Sequence, residues 1–149
     1  MKRTVCILTI CLLLLIGCTS FSGIKPYYPK VGDPNYPTKV DSLQPTFKWK
    51  SSPGAEAYDF IIYECIVTKD IWETTMRTVG REVYYREGLK ETQHRIEEPL
   101  KPKCEYYWSV RIRQGQKVSD WSLYNYYLYM GVADVSGYNL PFSFQTPEM

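Results

Sequence analysis

One histidine, His94, stands in a chain of 149 residues, and neither sign of charge dominates. A lone imidazole leaves little room for histidine-rich metal sites or for a Ser–His or Cys–His pair. Lysine and arginine number 18 against 16 acids, a formal charge of +2. That balance is too even to draw nucleic acid or an anionic surface by charge. Helical periodicity is missing too: beyond residue 16, no stretch repeats apolar residues at i, i+3, i+4 and i+7 over three turns. The chain has one long apolar run, residues 5–16, and it is too short to cross a bilayer as a helix. What the chain does have is aromatic residues, 15% of the total, with 14 Tyr and 4 Trp. Tyrosine and tryptophan at that level suit a β-rich protein.

Lys2 and Arg3 before the apolar run make a basic n-region and an h-region, the pattern of a secretory signal. The run closes on Leu15-Ile16-Gly17-Cys18, which resembles the lipobox of bacterial lipoproteins. The resemblance implies a signal peptide over residues 1–17, cleavage after Gly17 and lipid on Cys18, so that a membrane is the first partner. Thr19 follows, with no aspartate to signal inner-membrane retention, so the same resemblance favours the outer membrane. Loss of Lys2 and Arg3 leaves 16 basic against 16 acidic residues. About 130 residues remain, one domain by length and enough to bury a core without a metal. Cys6 and Cys11 leave with the signal. Cys65 and Cys104 remain in an oxidising compartment, either as a disulfide or as two buried thiols acting as small hydrophobes.

Residues 18–38 carry four prolines, two glycines and no periodicity, the composition of an extended, semi-stiff tether. The folded part is expected over 39–149. Thr46-Phe47-Lys48-Trp49-Lys50 alternates rings with lysines, as a half-buried strand does. Residues 57–67 follow as a long strand, with Tyr58, Phe60 and Ile62 on one face and Ile61, Tyr63, Cys65 and Val67 on the other. Residues 69–80 are polar, an exposed hairpin arm. Shorter strands are expected over 82–86 and 92–96. In the next strand Tyr106, Trp108, Val110 and Ile112 share one face. A turn at Gln114-Gly115-Gln116 and an alternating strand over 141–146 complete the pattern.

Short strands separated by turns suggest a β-sandwich. Trp49, Tyr58, the run Leu100, Pro102 and Tyr106, the pair Trp121-Ser122 and the strand over 142–146 resemble, in order and spacing, a fibronectin type III domain. The resemblance implies an all-β, immunoglobulin-like antiparallel sandwich of about seven strands. It makes Tyr106 the corner tyrosine before the sixth strand, its hydroxyl bonded to nearby backbone. Residues 123–140 depart from the pattern as an insertion before the last strand, rich in tyrosine: Tyr124, Tyr126, Tyr127, Tyr129 and Tyr138. By the family topology this insertion emerges from the loop between strands six and seven, at the pole where the tether enters. Its rings either close the end of the sandwich or form a recognition surface for a glycan, a protein or the lipid interface. Pairing Tyr58 with Ile112 sets residue 66 opposite residue 104, which leaves Cys65 one position out of register for a disulfide.

Catalytic groups are sparse. His94 lies in an expected surface strand with no nucleophile motif beside it. Glu97 and Glu98 are neighbours that point to opposite sides of a strand. Cys65, His94 and Cys104 match no zinc-ligand spacing. The reading is a non-catalytic binding or structural module of the bacterial envelope, held by lipid on Cys18, with no cofactor, metal or nucleic-acid partner. The alternatives are an accessory subunit of a larger envelope assembly or a small envelope hydrolase.

Overall fold

A strand turns successive side chains to opposite faces, and from this alternation the whole chain is built. The computed structural model describes residues 17–32, 36–130 and 133–148. The expected signal peptide, apart from Gly17, lies outside the described residues. The described residues form twelve strands: β1 Gly17–Ser22, β2 Pro26–Tyr28, β3 Thr38–Lys39, β4 Thr46–Trp49, β5 Ala57–Lys69, β6 Thr75–Leu89, β7 Gln93–Arg95, β8 Glu105–Gln114, β9 Lys117–Val118, β10 Leu123–Met130, β11 Ala133–Leu140 and β12 Phe142–Gln145. Among the described residues there is no helix.

Strands β2, β4 and β7 form an antiparallel sheet with β4 in the middle. A second sheet runs β12, β8, β5, β6, with β3 parallel to β12 and β9 against β8. The two make the all-β sandwich that the resemblance implies. Tyr58 pairs with Ile112 across β5 and β8, the expected register. Phe47 and Trp49 enter the core from one sheet, and Tyr58, Phe60, Ile62, Trp108, Val110, Phe142 and Phe144 from the other. The Phe47 ring lies 4.8 Å from Phe60, 5.0 Å from Trp108 and 5.2 Å from Phe144. Each such buried side chain contributes about 1.5–3 kcal/mol over leaving it in water. The corner is formed as expected: the Lys101 N–H donates to the Tyr106 hydroxyl at 3.2 Å.

The expectations for the tether and the insertion are corrected. Residues 18–38 contain pairing strands rather than an extended tether. Pro26 pairs with Trp49 at the edge of the first sheet, a position where a proline without an N–H is tolerated. The sandwich therefore begins at β2, ahead of Lys39. The insertion does not leave from the loop between strands six and seven, which is the tight turn at Gly115 (φ 57°). It leaves from inside the seventh strand. β9 pairs with the end of β8, and the Ser119 and Ser122 N–H groups donate to Ile112 and Val110 carbonyls on the same edge. The chain then departs as the β10–β11 hairpin and returns as β12, where Phe142 meets Trp108.

Candidate binding surfaces

The insertion forms a third sheet with the N-terminal strand, in the order β1, β10, β11. Cys18 pairs with Tyr127, Thr19 with Tyr126, and Tyr126 with Tyr138. The sheet joins the sandwich through Ser122, which is buried. Its hydroxyl donates to the Val110 carbonyl at 2.6 Å and accepts the Ile24 N–H at 2.7 Å. Gly23 takes φ 82° against it, and a Cβ there would stand 2.6 Å from the Ser122 Oγ, so only glycine fits the crossing. Tyr124 is buried in the core cluster and drops out of the candidate surface. The side chains of Tyr126, Tyr127, Tyr129 and Tyr138 lie outside the described residues.

Cys65 and Cys104 are both free thiols, so the disulfide alternative is corrected. The register explains it. Glu64 pairs with Tyr106, which sets Cys65 beside Glu105 on the outer face, while Cys104 packs against the core. The Cys65 thiol donates to Glu105 at 3.9 Å, and burial pushes it up to about 11, which suppresses the reactive thiolate at neutral pH.

His94 is not a surface residue. It pairs with Phe47 on the core face of β7, and its side chain is 11% exposed. Tyr84 donates its one hydroxyl proton to Glu97, so the His94 Nε2–H donates to the Tyr84 oxygen at 2.7 Å. Desolvation lowers the His94 pKa and keeps the ring neutral. The histidine is thus a fixed core ring in contact with Phe60 and Tyr84. Among the described residues no three His, Cys, Asp or Glu side chains are grouped to hold a metal ion.

The outer face of the β12–β8–β5–β6 sheet carries a buried charge. Asp59 is fully buried and accepts hydrogen bonds from Arg113 at 2.7 and 2.8 Å, from Arg111 at 3.0 Å and from the Gly88 N–H at 3.2 Å. Burial alone would raise its pKa, but the bonds from Arg113, Arg111 and Gly88 outweigh it and hold the carboxyl below the ordinary value. Arg113 also meets Glu87 at 2.9 Å, and Arg111 lies 4.4 Å over the Trp121 ring. Every charge in this network has its partner within the chain. The network braces the sheet, and its buried carboxylate is enclosed by its own chain.

Beyond Glu64 the β5–β6 hairpin leaves the sheet. Its last rungs, Cys65–Val79 to Lys69–Thr75, are paired with each other alone. The apex is a built turn. The Asp70 carboxylate accepts the N–H groups of Trp72 and Thr74, both at 2.8 Å, Glu73 sits at φ 60°, and Lys69 meets Glu73 at 2.7 Å. At the base, Arg77 grips Glu105 through two bonds of 2.7 and 3.2 Å. This turn holds Ile71 88% exposed and Trp72 80% exposed, with Ile66, Val67, Met76 and Val79 exposed below them. The arm was expected to be exposed and polar, and its apolar apex was missed. The signal was present in Asp70-Ile71-Trp72-Glu73, an aliphatic and an indole where a turn needs neither.

A family model described as the Rha78A-like, N-terminal immunoglobulin domain matches residues 26–133, from the first residue of β2 to the first of β11. No curated protein and no solved structure matches the chain.

Proposed function

Because the chain belongs to the family of Rha78A-like N-terminal immunoglobulin domains, we propose that it is a non-catalytic binding module held at a bacterial envelope membrane by lipid on Cys18. The observation that carries the anchoring is the position of Cys18. It directly follows the leader pattern, and its strand pairs with the tyrosine-rich hairpin. Acyl chains on Cys18 would then leave from a strand fixed to the domain through Ser122, next to tyrosines suited to a lipid–water interface. Charge contributes little, since the mature chain is balanced. Thr19 favours the outer membrane. The non-catalytic reading is supported by Asp59, whose carboxylate is filled by Arg113, Arg111 and the Gly88 N–H, and by His94, whose Nε2 is held by the Tyr84 hydroxyl. A surface depression of about 700 Å³ is open and bordered by Thr46, Lys48, Glu91, Gln93, His94 and Arg95 among others.

The test is fractionation of cells producing Cys18→Ala. A single acyl chain is a marginal anchor and several are stable, so the variant should move wholly to the soluble fraction. Retention on membranes equal to that of the unaltered chain overturns the lipid anchor. A second reading, an accessory subunit of an envelope assembly, is favoured by one observation, the apolar apex of the β5–β6 arm.

A further inference from the structure

We infer that the β5–β6 arm is a docking element that enters an uncharged apolar cleft of a partner protein. This rests on the binding-module reading but not on the lipid. The overhang from Cys65 to the apex is roughly 20 Å long at about 3.3 Å per residue. Along it, Ile66 and Met76 fall on one face of the ribbon and Val67 and Val79 on the other, with Ile71 and Trp72 at the end. Among the described residues no strand covers either edge of this ribbon beyond Glu64. A two-stranded ribbon with bare edges and apolar residues on both faces gains stability and solubility when it is covered.

Its geometry selects the occupant. A bilayer would take the apex alone and leave both faces of the stem in water. A sugar ring would stack on Trp72 alone. A second copy laid against the arm would cover one face. A cleft covers both faces and the apex together. The charges point the same way. Residues 65–79 hold two cations and two anions, Lys69, Asp70, Glu73 and Arg77. Lys69 is paired with Glu73, Arg77 with Glu105, and Asp70 is turned into its own turn. The arm therefore presents no net charge, and an uncharged cleft complements it. Association should be insensitive to salt, unlike binding between exposed charges. The backbone of the arm is pre-set by the capped turn and the Arg77 bridge, which reduces the entropy lost on docking.

The test uses the full chain in the cells that produce it, with the photoreactive residue benzoylphenylalanine placed at Trp72, Val67, Met76 or, as a control, the outward-facing Lys48. The expected result is one and the same envelope protein crosslinked from 67, 72 and 76 but not from 48, with equal yield in 0.1 and about 0.5 M salt. Ile71→Ser should remove the crosslink from 67. With that protein purified, Trp72→Ser should weaken binding by about 30-fold or more, as loss of an interface hot spot does, while the melting temperature stays put. Adducts to lipid, to a second copy of the chain or to a different protein from each face overturn the proposal, as does the absence of any adduct. Fractionation of the same cells reads the lipid anchor separately, so either idea can fail alone.

Discussion

Strands β5 and β6 pass through two environments. From Ala57 to Ile62 every residue of β5 is buried, rings toward the core and Asp59 and Ile61 on the outer face. From Ile66 to Lys69 the same strand is exposed, though this stretch begins with two β-branched apolar residues. The hydrogen-bonded partner β6 continues through both halves. What changes is the neighbour on the other edge. β8 pairs β5 as far as Glu64, and β12 ends at Gln145 opposite Glu105. Burial is thus set by where the adjoining strands stop. The sandwich half is stable because rings meet rings, and the overhanging half is held by its turn and by one ion pair at its base.

The largest expected effect lies in the sandwich half. Trp108 is fully buried, 5.0 Å from both Phe47 and Phe142. Trp108→Ala should cost about 3–5 kcal/mol, read by denaturant unfolding. A loss under about 1 kcal/mol would mean that the core is not packed as described.

On the outer face of that half, Asp59→Ala removes a buried carboxylate from between two guanidinium groups. Breaking a buried pair costs about 3–5 kcal/mol. Arg111 and Arg113 are partly exposed and can turn to water, so the lower end is expected. The pH dependence has a definite sign. The folded Asp59 pKa is depressed below its unfolded value. Its contribution is complete above the unfolded value, about 3.9, and is lost as pH falls through the lower folded value. Unfolding monitored from pH 6 to pH 2 should show Asp59→Asn losing less stability with acid than the unaltered chain. Parallel acid curves would show that Asp59 is not the group held down.

Much of the sandwich half was legible in the chain because its period is local. Phe47 and Trp49 alternate with lysines, and Tyr106, Trp108 and Val110 repeat at two, so the inward face follows from the pleat alone, while the Tyr58–Ile112 register came from matching the two strands as an antiparallel pair. His94 misled because a polar residue holds a core-facing position opposite Phe47, where the Tyr84 hydroxyl satisfies it. β1 was illegible for another reason. Thr19-Ser20-Phe21-Ser22 has no strong pattern, and its partners lie about a hundred residues away in β10. The insertion was seen, but its point of departure was not, since only the pairing of β9, Ser122 and β12 along one edge of β8 reveals a divided strand. The apolar apex escaped for the reason that separates the two halves of β5: alternation says which face a residue takes, and nothing local says whether that face is covered.

A smaller effect is expected where the halves meet. Arg77 and Glu105, each 16% exposed, tie the arm to the end of β8. Arg77→Ala leaves Glu105 half-buried without its bidentate partner and should cost about 1–2 kcal/mol. The cost should be local. Hydrogen exchange should quicken at arm amides such as those of Val67 and Val79 while Phe60 and Val110 keep their protection, because local opening and global unfolding are separate processes. Equal quickening in both halves would mean that the arm is part of the core's cooperative unit.

The smallest effect should come from the most conspicuous side chain. Trp72 is 80% exposed and Ile71 88%, so folding removes little of either from water, and burial is what an apolar side chain contributes to stability. The turn that carries them is held by main-chain groups: Asp70 accepts the N–H of residue 72 whatever its side chain. Trp72→Ser should therefore leave unfolding within about 0.5 kcal/mol of the unaltered chain, read by the same denaturant curves as Trp108→Ala. Set against a loss of several kcal/mol at Trp108, a null result at Trp72 places the two indoles on opposite sides of the comparison, one holding the fold and one offered outward. A loss above about 1 kcal/mol at Trp72 would instead make the apex part of the folded body, and the arm would no longer be an element kept for a partner.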